Sequence, residues 1–143
     1  MRVLTDHIVE GDSANQLTIT VVDEPGQGGA YHEYLVGVYY PAGSRNVPLN
    51  KLENIVIAES GAIKGVMCAV SFQNGPIKEF GVNGITQEVL LAIVIDRLRS
   101  FQAGQFASVY NQSALESCEN ALKQLQHRTR ERIKRGVEGT NEK

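Results

Sequence analysis

Leu115-Glu116-Ser117-Cys118-Glu119-Asn120-Ala121-Leu122-Lys123-Gln124-Leu125-Gln126-His127-Arg128-Thr129-Arg130-Glu131-Arg132-Ile133 decides how the second half of this chain folds. Leu115, Cys118, Leu122, Leu125, Thr129 and Ile133 recur in steps of three and four, which lines up one face of an α-helix. A single apolar seam therefore faces a partner along the whole helix. The partner is legible just upstream, where Val89, Leu90, Ile93, Val94 and Leu98 repeat at helical spacing as far as about Phe101. Thr86 is the expected N-cap of that first helix, with Gln87 and Glu88 in its first turn. Gly104 is expected to end it. A short link through Phe106 and Tyr110 leads to the second helix near Asn111 or Ser113, where Ser113-x-x-Glu116 has the form of a capping box. So short a link predicts an antiparallel hairpin whose second helix projects beyond the first. The first helix is apolar almost all round until Asp96, which predicts burial on more than one side, another subunit included.

Before residue 84 the period is that of strands. Leu17-Thr18-Ile19-Thr20-Val21-Val22 alternates apolar with hydroxyl residues, and Tyr34 to Tyr40, Ile55 to Ala58 and Val66 to Phe72 supply three further β-rich runs. Pro, Gly and Asn turns separate them: Asp23-Glu24-Pro25-Gly26, the loop from Pro41 to Pro48, and Asn74-Gly75-Pro76. Short strands with tight turns imply an antiparallel sheet. The expected fold class is α+β and oligomeric, a single domain over 1–143. It comprises a β-sheet region over 1–80, a helical hairpin over 84–136 and a tail over 137–143.

A chain of 143 residues with 42% apolar and 21% charged residues has an ordinary globular composition. No apolar run approaches the ~20 residues of a membrane span, and Met1 to Asp6 lacks the pattern of a signal peptide. The expected location is the cytoplasm. Cys68 and Cys118 stand in no metal-binding spacing and are expected to be buried reduced thiols. Neither a metal nor a cofactor is expected.

The net charge of −2 hides an asymmetry: residues 1–122 sum to −6 and residues 123–143 to +4. A binder of long nucleic acid is more usually basic over a broad face. So local a basic zone favours a small anionic ligand. Arg128, Arg132 and Arg135 stand at i, i+4 and i+7 and share a helical face, where their planar forks suit bidentate phosphate binding. The alternative is a solvated helix end whose cations complement the C-terminal dipole. Gly136 has the position of a left-handed terminator, and Gly136, Gly139 and Thr140 offer backbone N–H groups and a hydroxyl at the same place. Phe101 and Phe106 suit either base stacking or core filling, and Asn111 either a base edge or a helix cap. His7, His32 and His127 are scattered, and no GxSxG, HExxH, P-loop or GxGxxG pattern occurs. Phosphate recognition without nucleophile, base or metal points to binding rather than turnover.

Two stretches resemble a known family. Gly81-Val82-Asn83-Gly84-Ile85-Thr86-Gln87-Glu88-Val89-Leu90-Leu91, continuing through Asp96-Arg97-Leu98 and Phe101-Gln102-x-Gly104-x-Phe106, is similar to the phage Thoeris anti-defence 1 family. So is Ala121-Leu122-x-x-Leu125-x-x-Arg128-Thr129-x-x-Arg132-x-x-Arg135-Gly136-Val137-Glu138-Gly139-Thr140, which also resembles the hairpin of the phage anti-CBASS 2 family. The resemblance implies a sponge, not an enzyme. Such a protein, acting in the cytoplasm of the infected bacterium, binds cyclic ADP-ribose isomers (gcADPR) of Thoeris immunity and holds them uncleaved. It implies that Arg128 and Arg132 hold the pyrophosphate and ribose side, that Phe101 stacks on adenine and that Asn111 is a polar contact. It also implies a dimer or a trimer of dimers, a hexamer. Arg135, Gly136 and Thr140 are then candidates for a second site that takes the cyclic dinucleotides or trinucleotides of CBASS. Two other functional classes remain beside this one: a nucleotide phosphodiesterase using Arg and a carboxylate such as Glu138, and a small nucleic-acid-binding protein using the basic helix.

Overall fold

The computed structural model describes residues 1–12 and 16–143. They form two compact units, Met1–Phe72 and Gln73–Lys143. In the first, β1 (Arg2–Leu4), β2 (Leu17–Val21), β3 (Glu33–Tyr40), β4 (Glu53–Ile57) and β5 (Ile63–Ser71) make a five-stranded sheet. The order is β1-β2-β3-β5-β4 and every pairing is antiparallel. The alternating run from Leu17 pairs with β3 from Leu17↔Val38 to Val21↔Tyr34, and this register turns Val21 and Val38 inward to a core shared with Leu52 and Ala62. β1 was not anticipated, because three residues are too short to display a period.

The β2–β3 connection is held by a part-buried carboxylate contact. Asp23 Oδ2 accepts the backbone N–H of His32 at 2.7 Å and lies 3.8 Å from His32 Nδ1, in a place where the imidazole is only 6% exposed. Burial raises the Asp23 pKa, but hydrogen bonds from backbone N–H groups, that of His32 foremost, and the nearby imidazole charge outweigh it. The carboxyl lies below its ordinary 3.8.

The second unit contains the hairpin. A short α1 (Ile77–Phe80) precedes α2 (Gln87–Gln102) and α3 (Val109–Lys134). Thr86 caps α2 as expected, its hydroxyl accepting from the Val89 N–H. The cap of α3 differs from the expectation: Ser108, not Asn111 or Ser113, accepts from the Asn111 N–H at 3.0 Å, and the helix starts at Val109. Ser113 lies one turn inside, so the Ser113-x-x-Glu116 pattern is not a capping box; Glu116 instead accepts from Gln112 at 2.8 Å. Antiparallel packing is visible in the cross-helix pairs, Arg99 with Glu119 at 2.7 Å and Gln102 with Gln112 at 3.2 Å. Ile95 and Leu115 are buried in the seam. A single chain covers α2 on one side only: Val89, Ile93 and Val94 stay exposed, Ile93 at 61%. Neither cysteine is buried as expected, Cys68 being exposed on β5 and Cys118 half-buried; both are free thiols. No helix among the described residues is long and apolar enough to cross a membrane.

Two measurements check this account. Asp23 binds protons more weakly in the folded than in the unfolded chain, so its stabilisation is complete above the unfolded value and is lost as pH falls through the lower folded one. The gap in thermal midpoint between wild type and Asp23→Asn is therefore expected to be widest well above pH 3.8 and to close on acidification. Ser108→Ala is expected to cost about 1 kcal/mol in denaturant unfolding and Ser113→Ala close to nothing, because only Ser108 satisfies a helix-end donor.

Candidate anion-binding site

α3 is 26 residues long and α2 only 16, so the last turns of α3 run past the start of its partner. The helix closes at Gly136, whose φ of 70° suits a residue without Cβ. Gly136 N–H bonds to Ile133 O at 2.9 Å and Val137 N–H to Arg132 O at 3.1 Å, the paired bonds of a Schellman motif. This turn throws the tail back along the helix. Gly139, also at positive φ, accepts from the Lys78 N–H at 3.2 Å; a Cβ built there would lie 3.1 Å from Lys78 Cγ.

The returning tail and the start of α2 enclose a groove of about 570 Å³. Its walls are Thr86, Gln87 and Glu88 at the start of α2, Gln126 and Arg128 to Arg130 with Arg132 on α3, Glu138 to Thr140 on the tail, and Gln73 with Gly75 to Ile77 before α2. That size is ordinary for a small-molecule site. The first turn of α2 brings unpaired N–H groups and the positive end of its dipole. Arg128 and Arg130 are exposed, and among the described residues neither guanidinium has a hydrogen-bond or ion-pair partner. Glu88 and Glu138 also line the groove, so it suits a ligand carrying hydroxyl or amine donors besides its anionic group.

Arg132 is engaged differently from Arg128. Its side chain is 15% exposed, and the guanidinium donates through Nε to Glu138 Oε2 at 2.9 Å, through Nη1 to Glu142 O at 2.7 Å, and through Nη2 to Val137 O and Thr140 O at 2.9 Å each. Arg135 lies outside the groove lining and donates to Lys143 O at 2.6 Å. The three arginines share a helical face, yet two of them bind the chain's own tail. Gly136 acts through its backbone angle, and the Thr140 hydroxyl closes a turn onto Val137 O at 2.6 Å.

Phe101 and Asn111 lie elsewhere, at the closed end of the hairpin. Phe101 meets Phe106 edge to face, with centroids 6.4 Å apart, and the Arg97 guanidinium sits 4.9 Å from its ring centre. Asn111 Nδ2 donates to Phe106 O at 3.2 Å. Asn111 and Arg128 are 17 residues apart on one straight helix, roughly 25 Å at 1.5 Å per residue. One chain thus carries two clusters, an aromatic one and a basic one.

The sequence reading did not single out Arg130, or the clamp that shapes the loop wall. Gln73 Nε2 donates to Gly75 O and Gly81 O, and Gln73 Oε1 accepts from the Asn83 N–H. The Asn83 amide in turn accepts from Asn74 N–H at 2.9 Å and donates to Asn74 O at 2.8 Å. No periodicity announces such a clamp, although Asn83 lies inside the stretch that carries the family resemblance.

These features define an α+β protein whose C-terminal half is an antiparallel helical hairpin with a basic groove at its open end. Residues 67–130 match the family model described as Acb2/Tad1, hairpin domain. It is similar to a protein named Thoeris anti-defense 1 from Bacillus phage SBSphiJ7, 48% identical over 79 residues, which cover 55% of this chain and 56% of the phage protein. The chain thus spans about half the length of the curated relative it matches.

Replacing Asn83 with Ala is expected to cost about 1–2 kcal/mol, the loss of two amide hydrogen bonds. Amide exchange at Asn74 and Gly75 is expected to quicken in the same variant, reporting a loosened groove wall.

Proposed function

We propose that this chain is a phage anti-defence protein that sequesters a cyclic ADP-ribose signal (gcADPR) without cleaving it, in a site completed by two copies of the chain. The carrying observation is the separation of the two clusters. A pocket of 300–1,000 Å³ is about 7–10 Å across, whereas Asn111 and Arg128 stand roughly 25 Å apart along α3. Phe101 and Asn111 of one copy, beside Arg128 and Arg132 of another, supply an aromatic face and polar contact for adenine and charge-assisted donors for pyrophosphate. The uncovered apolar residues Ile93, Val109 and Tyr110 favour such pairing, since Val109 and Tyr110 are 78% and 83% exposed in a single chain.

Binding rather than turnover is supported by the groove's chemistry. Its arginines stabilise charge, its Glu138 carboxylate is already paired with Arg132, and no histidine lines it. The resemblance of the C-terminal stretch to the anti-CBASS 2 hairpin favours the tail, with Arg135, Gly136 and Thr140, as a second candidate region for cyclic dinucleotides or trinucleotides in a trimer of dimers. Sequestration of a nanomolar signal calls for a Kd near ~10⁻⁹ M, about −12 kcal/mol, which enclosure between copies favours over an open helix end.

The test incubates the protein with glycocyclic ADP-ribose, removes free ligand, heat-denatures the protein and identifies the released compound by mass spectrometry. Intact ligand is expected. A hydrolysed product means a phosphodiesterase, and salt-sensitive retention of long DNA or RNA in its place means a nucleic-acid binder. Arg128→Glu is expected to weaken retention about 100-fold, near 3 kcal/mol for a lost charge-assisted contact to phosphate. The thermal midpoint should hardly move, because Arg128 is exposed.

A further inference from the structure

We propose that Arg97 is a positioning residue for the base of the ligand: its guanidinium covers one face of Phe101 and fixes the ring so that the opposite face meets adenine. This rests on the reading of Phe101 as the stacking surface for a sequestered nucleotide, and it adds a residue to that surface. Arg97 and Phe101 stand four residues apart on α2, so their side chains share one helical face. The guanidinium carbon lies 4.9 Å from the ring centre, within cation–π range. Arg99, on the same helix, pairs with Glu119 at 2.7 Å. Arg97 is exposed and has no hydrogen-bond or ion-pair partner among the described residues, so the ring is the contact that holds it.

Phe101 needs such support. It is half-buried in the last turn of α2, and its aromatic neighbour Phe106, itself 66% exposed, meets it at 89° with the centroids 6.4 Å apart. A stacking surface works best when the ring is already in place, because each side chain immobilised on binding costs about 0.5–1.5 kcal/mol of affinity. Arg97 over one face and Phe106 at right angles restrict the ring before a ligand arrives. The cation also draws π density toward its own side of the ring. That lessens the repulsion between the far face and the π face of a purine.

The test is a full-chain double-mutant cycle with Arg97→Gln and Phe101→Leu, read as affinity for glycocyclic ADP-ribose. Arg97→Gln is expected to weaken binding about fivefold, the scale of one exposed cation–π contact. Phe101→Leu is expected to weaken it about 30-fold, within the range of a lost base stack. In the Phe101→Leu background, Arg97→Gln should change affinity less than about twofold, since the ring it acts through is gone. A fivefold loss that persists in that background overturns the proposal, because Arg97 then meets or attracts the ligand by itself. An unchanged affinity in either single variant overturns it too. The second readout uses no ligand: the δ-methylene proton resonances of Arg97 are expected to be shifted upfield by the Phe101 ring current and to lose that shift in Phe101→Leu. Resonances at their ordinary position in wild type overturn the contact on which the proposal stands. If wild type retains no glycocyclic ADP-ribose, the sequestration reading fails and the positioning role fails with it, whereas retention beside an unchanged Arg97→Gln affinity overturns the positioning role alone.

Discussion

A helix that outruns its partner must satisfy its last turns in some other way, and this constraint organises the basic half of the molecule. α3 extends for 26 residues against 16 in α2, so its final carbonyls and cationic side chains have no helix beside them. The Schellman turn at Gly136 caps the carbonyls and sends the chain back. Arg132 then gathers the returning strand with a charged contact and three carbonyl contacts, a set of partners that offsets the cost of largely burying a guanidinium. The groove, its wall and the free state of Arg128 and Arg130 all follow from that one closure.

The same economy shapes the closed end. Ser108 satisfies the first donors of α3, and Gln102 accepts from the Ser108 N–H while donating to Gln112. These polar links pin the turn between the helices and leave Phe106, Val109 and Tyr110 outside it. An aromatic and apolar surface at one end and an unpartnered basic pair at the other give the hairpin two unlike faces. Two copies lying antiparallel would set each face against its complement, as the proposed site requires.

Periodic features were read correctly because they are local. The three- and four-residue steps from Leu115 to Leu125, the alternation from Leu17 and the Thr86 cap all depend on a few neighbouring residues, and all appear in the structure; the seam was expected to run on to Ile133, but that residue lies on the projecting turns and is 60% exposed. Ser108 was passed over because Ser113 and Glu116 made a more complete local pattern, and nothing nearby shows where helical dihedrals begin. Cys68 was expected to be buried, yet it is exposed on β5 beside a β-bulge, opposite Val36, because one strand's sequence does not show how much of a sheet face is covered. Glu138 was noticed only as a stray carboxylate. Its partner lies six residues back across a left-handed turn, a spacing that no helix or strand repeats.

By itself the sequence determined the antiparallel sheet, the hairpin and the concentration of charge at the chain's end, since these rest on hydrophobic period, turn chemistry and net charge. It also placed Arg128, Arg132 and Arg135 on one helical face. Only the tertiary structure decided what each arginine does there, because that depends on where the tail returns. Arg132 and Arg135 lie where backbone carbonyls arrive and donate to them, while Arg128 lies beside the open groove with no partner among the described residues.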